Sequence, residues 1–218
     1  MPRMSLLALT LLFALPASPQ ASRAVASARA ELEAARRARP DPAHGADLFQ
    51  QCTACHGRDG GGQVEGAVPR IAGQHARVLL KQLVDFRHGL RWDYRMEELA
   101  DRHHLEGAQD LADVAAYVAS MSPAGPHGVG TGEFVEEGER LYLFRCRSCH
   151  GDQAEGRDYD AVPRLAGQHY GYLMRQIEDT LDKRRPTLAP THLPLIDDLE
   201  FEQVRGLVDF ISRGAVRE

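Results

Sequence analysis

Apolar residues along this 218-residue chain recur at helical spacing, and the same stripes occur twice. Leu79, Leu83 and Phe86 share one face of a predicted helix, and Leu173, Ile177 and Thr180 stand 94 positions further on. Leu111, Val114, Ala115 and Val118 form a second stripe, which Val204, Leu207, Val208 and Ile211 repeat at an offset of 93. Each half therefore reads as a short leading helix, a Gly-rich loop, a middle helix, a variable segment and a final helix. Proline and glycine in SPAGPHGVGTGE stop the helix that ends near Ser120 and mark a linker. The front segment AVASARAELEAARRAR is rich in helix formers but has no wide apolar face, so it reads as a solvated helix or a flexible tether. The predicted class is all-α, with two tandem domains related by internal duplication.

The repeat carries chemistry. CTACHG at Cys52 to Gly57 returns as CRSCHG at Cys146 to Gly151, and AVPRIAGQH at Ala67 to His75 returns as AVPRLAGQH at Ala161 to His169. All four cysteines lie in these two copies, each pair followed at once by a histidine. Disulfide pairing leaves His56 and His150 without a role, and so does a zinc site built from the two cysteine pairs. Attachment of c-type heme uses all six residues: two thiols bond the porphyrin and the adjoining imidazole ligates iron. Pro69 and Pro163 follow their histidines by 13 residues, each able to offer a carbonyl to the second ring nitrogen or simply to turn the loop.

One residue has been gained or lost between the two leading helices. Phe49 precedes Cys52 by three positions, whereas Tyr142 precedes Cys146 by four, so packing of the leading helix against the final helix is expected to differ between halves.

Thioether-bound heme belongs to exported chains, and the N-terminus has the matching pattern. Arg3 precedes an apolar run from Ser5 to Ala17, too short to span a bilayer comfortably, and Ala24-Val25-Ala26 fits a cleavage site, as does Ser22-Arg23-Ala24. The expected organisation is a signal peptide over 1–26, a helical or flexible segment over 27–41, domain 1 over 42–121, a linker over 122–132 and domain 2 over 133–218. The expected location is the periplasm, with no stable membrane span after cleavage. Residues 42–132 carry 8 basic and 11 acidic side chains, and residues 133–218 carry 12 and 17. Such a surface repels nucleic acid, and with lysine only at Lys81 and Lys183 no lysine ring is available for docking.

The doubled Cys-x-x-Cys-His-Gly, the P-x-x-AGQ after each copy, the Tyr172-Leu173 pair and the terminal amphipathic helices resemble the diheme class I cytochromes of the cytochrome c4 family, over about residues 42–216. The resemblance implies two tandem cytochrome c class I domains with pseudo-twofold symmetry. It also implies two covalently attached hemes c, periplasmic electron transfer, and methionine as second axial ligand in both domains. In domain 1 the family pattern falls on HGLRWDYRM, giving Gly89, Arg91 and Met96, with Met96 as the expected sixth ligand. Domain 2 departs from it: Pro190 stands at the equivalent position, and the only good iron ligand in that loop is His192. Three readings compete there: His192 ligates the second iron, the site is open or water-bound, or Met174 swings in, with His192 leading. Flanked by Pro190 and Pro194, His192 is expected on non-helical backbone.

The remaining candidates have plainer readings. His75 and His169 suit a loop or propionate-edge role, Arg70 and Arg164 suit propionate pairing or solvent, and His44, His88, His103, His104 and His127 read as surface. The heme-binding expectation is therefore Cys52, Cys55, Cys146 and Cys149 as attachment points, with His56, Met96, His150 and His192 on the irons. The leading function is a single-electron carrier between donor and acceptor proteins, not an enzyme. An electron-accepting subunit of a periplasmic dehydrogenase is one alternative, and a heme enzyme or gas sensor with an open second iron is the other.

Overall fold

The computed structural model describes residues 19–214; the apolar run from Ser5 to Ala17 lies outside the described residues. Among the described residues there is no strand, only one antiparallel bridge between Arg157 and Val162. Helix α1 spans Pro19–Arg37, and domain 1 follows with α2 (Pro42–Phe49), α3 (Thr53–His56), α4 (Ala76–Arg87), α5 (Tyr94–Leu99) and α6 (Ala108–Ser120). Domain 2 repeats the order as α7 (Val135–Leu141), α8 (Arg147–His150), α9 (Tyr170–Leu181), α10 (Ala189–Ile196) and α11 (Phe201–Ser212).

In each domain the leading and final helices cross at a glycine. A Cβ on Gly45 would lie 2.1 Å from the Asp113 carbonyl oxygen, and one on Gly138 would lie 1.9 Å from that of Gly206. Only a residue without a side chain lets the backbones approach so closely. One turn later a fully buried aromatic locks the crossing: Phe49 packs on Tyr117 at 5.5 Å between ring centroids, and Tyr142 packs on Phe210 at 5.6 Å.

The one-residue difference between the halves is absorbed just after these aromatics. Domain 1 runs from Phe49 into a tight 3₁₀ turn, Gln50–Cys52, whereas domain 2 winds wider into a π-helical turn, Tyr142–Cys146. A π turn takes up an extra residue inside a helix, so both aromatics keep their place on the core. This corrects the expectation that packing against the final helix differs: that packing is alike in the two halves, and the difference lies in the turn alone.

The front segment is a packed helix rather than a tether. Ala28 and Ala35 are buried, Leu32 packs beside them, and Glu31 lies on the same stripe against α4 and α6. The linker is also pinned: Asp209 of α11 accepts hydrogen bonds from the amides of Gly130 and Gly132 at 2.9 and 2.7 Å.

The two domains meet face to face around their repeated loops. His75 Nε2 lies 2.8 Å from the Glu155 carbonyl oxygen, and His169 Nε2 lies 2.7 Å from that of Gly61, the same contact made in both directions. These histidines tie the two domains together through their loops. Arg70 donates from Nη2 to the linker carbonyls of Ala124, Gly125 and Pro126, while its Nε is buried without a partner.

Candidate heme sites

Each Cys-x-x-Cys-His ends a helical turn that stops at a glycine, Gly57 with φ +75° and Gly151 with φ +87°. That left-handed step turns the chain into a loop which folds back under the histidine. In domain 1 the amide of Gly62 bonds the His56 carbonyl and the amides of Ile71 and Ala72 bond Gly60; in domain 2 Gly156 bonds His150, and Leu165 and Ala166 bond Ala154. The result in both is a proline carbonyl at the imidazole: His56 Nδ1 to Pro69 O and His150 Nδ1 to Pro163 O, each 3.1 Å. A carbonyl accepts only, so Nδ1 carries the hydrogen and Nε2 keeps its lone pair. Burial lowers the pKa of both histidines, the carbonyl contacts opposing it, and nearby His192 lowers His150 further. Both rings are thus poised as neutral metal ligands.

None of the four cysteines is paired in a disulfide. Burial pushes the Cys52 and Cys146 thiols up to about 11, helped in Cys52 by Cys55. The two pairs lie in separate cores, Cys52 against the domain 1 cluster and Cys146 against that of domain 2, so they do not converge on one zinc ion.

Met96 is half-buried in α5, a short helix that Asp93 caps by accepting from the amides of Arg95 and Met96. The charges of Asp93 and Arg95, both just before Met96 in the sequence, act on His56, so the start of this helix lies near the histidine.

His192 lies on α10, and here the structure corrects the expectation of non-helical backbone. Pro190 occupies the first turn, where its missing amide is not needed, and in so short a helix Pro194 forfeits one backbone bond. The helix sets the His192 ring 6.2 Å from that of His150, centroid to centroid. An imidazole nitrogen binds a metal at about 2 Å, so rings at this separation would leave room for one metal ion held by both. His192 Nδ1 is occupied by the Leu188 carbonyl at 3.3 Å and the Thr191 hydroxyl at 3.0 Å, leaving Nε2 available. Met174 instead packs into the domain 2 core from α9.

A second pair of residues follows the repeat, of which the sequence singles out only Arg91, as part of the pattern leading to Met96. Arg91 and Arg185, 94 positions apart, meet between the domains, each donating to both Gln82 and Gln176, while Arg91 also donates to Tyr172. Among the described residues neither hydrogen-bonds a carboxylate, and the Arg185 Nε is buried without a partner. Burial and the charge of Arg91 push the Arg185 pKa down to about 10. An orphaned guanidinium donor fits a group that brings carboxylates of its own, as heme does with its propionates.

Comparisons with known proteins identify the family. The cytochrome c family model matches residues 42–122 and 135–214. Cytochrome c4 of Azotobacter vinelandii is 37% identical over 155 residues, 64% of this chain and 71% of that protein. The chain belongs to the cytochrome c4 family. The crystal structure of reduced recombinant cytochrome c4 from Pseudomonas stutzeri matches with a TM-score of 0.69 at 29% identity, covering 81% of this chain and 99% of that one. A thiosulfate dehydrogenase electron acceptor of Thiomonas intermedia is 36% identical over 143 residues, 62% of this chain and 64% of that protein. As a cytochrome c4 homologue the chain is a diheme electron-transfer protein with two covalently bound c-type hemes, and no helix among the described residues is long and apolar enough to cross a membrane.

Proposed function

We propose that the chain is a periplasmic one-electron carrier whose two heme sites are unlike. Cys52 and Cys55 would hold one heme, with His56 and Met96 as its iron ligands; Cys146 and Cys149 would hold the other, with His150 and His192. Each heme supplies a one-electron redox couple when bound. The protein residues fix the imidazoles through Pro69 and Pro163, exclude water from His56 and His150, and offer Arg91 and Arg185 to propionates. The observation that carries this reading is the 6.2 Å spacing of the His150 and His192 rings. An electron paramagnetic resonance spectrum of the oxidised protein tests it: one low-spin His/Met signal and one low-spin bis-His signal are expected. A high-spin second iron that binds cyanide or carbon monoxide without delay overturns the ligand set and favours the sensor or enzyme alternative.

The likeness to a thiosulfate dehydrogenase electron acceptor favours a dehydrogenase as electron donor. Mixing the oxidised protein with a thiosulfate dehydrogenase and thiosulfate should reduce it within the enzyme's turnover time. A much slower reduction would point to another donor.

A further inference from the structure

The family match begins at residue 42, so α1 is an addition to the cytochrome unit. Its inner face carries one acidic residue, Glu31, 9% exposed. Glu31 Oε1 accepts from Arg87 at 2.7 Å and from Arg102 at 2.9 Å, and Oε2 lies 2.8 Å from His88 Nε2. This pairing also corrects the reading of His88 as plain surface.

The partners of Glu31 bracket one segment. Arg87 and His88 stand at the end of α4, Arg102 stands between α5 and α6, and Met96 lies between them. Arg87 closes the bracket, its Nε donating to the Ala100 carbonyl and its Nη2 to that of Leu105, both at 2.6 Å. One buried carboxylate on an added helix thus gathers both ends of the segment that presents Met96. Domain 2 has no such device: at the repeat offset Arg87 and His88 become Leu181 and Asp182, and the linker precedes α7 where α1 precedes α2. Ala28, Glu31, Leu32 and Ala35 all follow Ala26, so cleavage there would keep the contact face whole.

We propose that α1 is a clamp and Glu31 a positioning residue that holds Met96 on the first iron. This rests on the reading of Met96 as ligand. The clamp acts on ligand retention: the segment must open for Met96 to leave, and a satisfied buried charge network opposes that opening.

The test uses the full holoprotein. Imidazole is added to the oxidised protein, and loss of the sulfur-to-iron charge-transfer band is followed in time. Glu31→Ala should speed that loss roughly tenfold or more, as expected when a buried charged network no longer resists local opening. Glu31→Asp should recover part of the wild-type rate, and the domain 2 resonance signal should stay unchanged. A contact that merely stabilises the fold would lower Tm and leave the displacement rate alone. That result, in variants with full heme content, overturns the clamp. If Glu31→Ala does not accumulate, Arg102→Ala removes one exposed arm and carries the same test. Met96→Ala separates the two readings. If the band survives in it, ligand assignment and clamp fall together; if it is lost while Glu31→Ala and Arg102→Ala exchange at the wild-type rate, only the clamp falls.

Discussion

Gln74 in domain 1 embraces Arg164 in domain 2 at both backbone groups: its Oε1 accepts from the Arg164 amide at 2.9 Å and its Nε2 donates to the Arg164 carbonyl at 2.8 Å. Gln168 returns the contact on Arg70, at 3.0 and 2.8 Å. Each arginine follows the proline whose carbonyl holds a histidine, so consecutive carbonyls serve the domain's own imidazole and the opposite domain's amide. Rigidity at the interface and at the imidazole is therefore shared.

Gln74→Ala and Gln168→Ala should each weaken the interface by about 1–3 kcal/mol, since each strips two partly buried backbone groups of their partner. Calorimetry of the holoprotein checks it. Wild type should unfold in one transition, and the double variant in two. A single unshifted transition in the double variant would show that the glutamines do not couple the domains.

The glycine crossings give a sharper case. Gly138→Ala puts a methyl group 1.9 Å from the Gly206 carbonyl oxygen, which is backbone and cannot rotate away. Overpacking of this kind costs roughly 1–3 kcal/mol, occasionally more, and should destabilise domain 2 ahead of domain 1. Gly45→Ala should reverse that order, because its obstacle is the Asp113 carbonyl of domain 1. Thermal unfolding followed at the two hemes' separate signals distinguishes these outcomes.

These glycines were not singled out in the sequence, although Gly45 and Gly138 repeat at an offset of 93. The stripes of α4, α6, α9 and α11 were legible because burial of a helix face writes a period into the chain. The Cys-x-x-Cys-His motifs were legible because the chemistry sits within one helical turn. A helix crossing leaves only a glycine, which the same sequence uses many times in loops. The Glu31 cluster was illegible for another reason: Glu31, Arg87, His88 and Arg102 are brought together by folding, and no local spacing links them. Helix α10 was missed because two prolines in eight residues argue against a helix unless one of them sits in its first turn, as Pro190 does.

Domain 1 should lose stability at both ends of the pH range through one pair. Asp113 is almost fully buried, which raises its pKa, but hydrogen bonds from the Asp41 amide, His44 and Gln109 outweigh that and hold it below 3.8. His44 is raised above 6.5, chiefly by its bond to Asp113. The depressed carboxyl stabilises the fold above its unfolded value and that contribution is lost as pH falls through the folded one. The raised histidine contributes below about 6.5 and loses it as pH rises through its folded value. Asp113→Asn should flatten both slopes in a plot of Tm against pH. Parallel wild-type and variant curves would show that the pair carries no linkage.

With His192 as the proposed second ligand in place of methionine, the two potentials should separate, with domain 2 lower. Imidazole donates more strongly to ferric iron than a thioether does, and His/Met ligation raises potential relative to bis-His. His192 is held for this by its helix, with Nδ1 engaged at Leu188 and Thr191 and its ring 6.2 Å from His150. Domain 1 instead offers Met96 on α5. For a one-electron couple a tenfold change in equilibrium is ~59 mV, so a gap of roughly 100 mV makes flow from domain 2 to domain 1 directional. Local charge opposes the ligand effect in part, because Arg185, whose charge reaches His192, favours the reduced iron. A potentiometric titration should resolve two waves, and His192→Met should raise the lower one while leaving the other in place. Two superposed waves in wild type, or an unchanged lower wave in the variant, would remove both the ligand assignment and the direction of flow built on it.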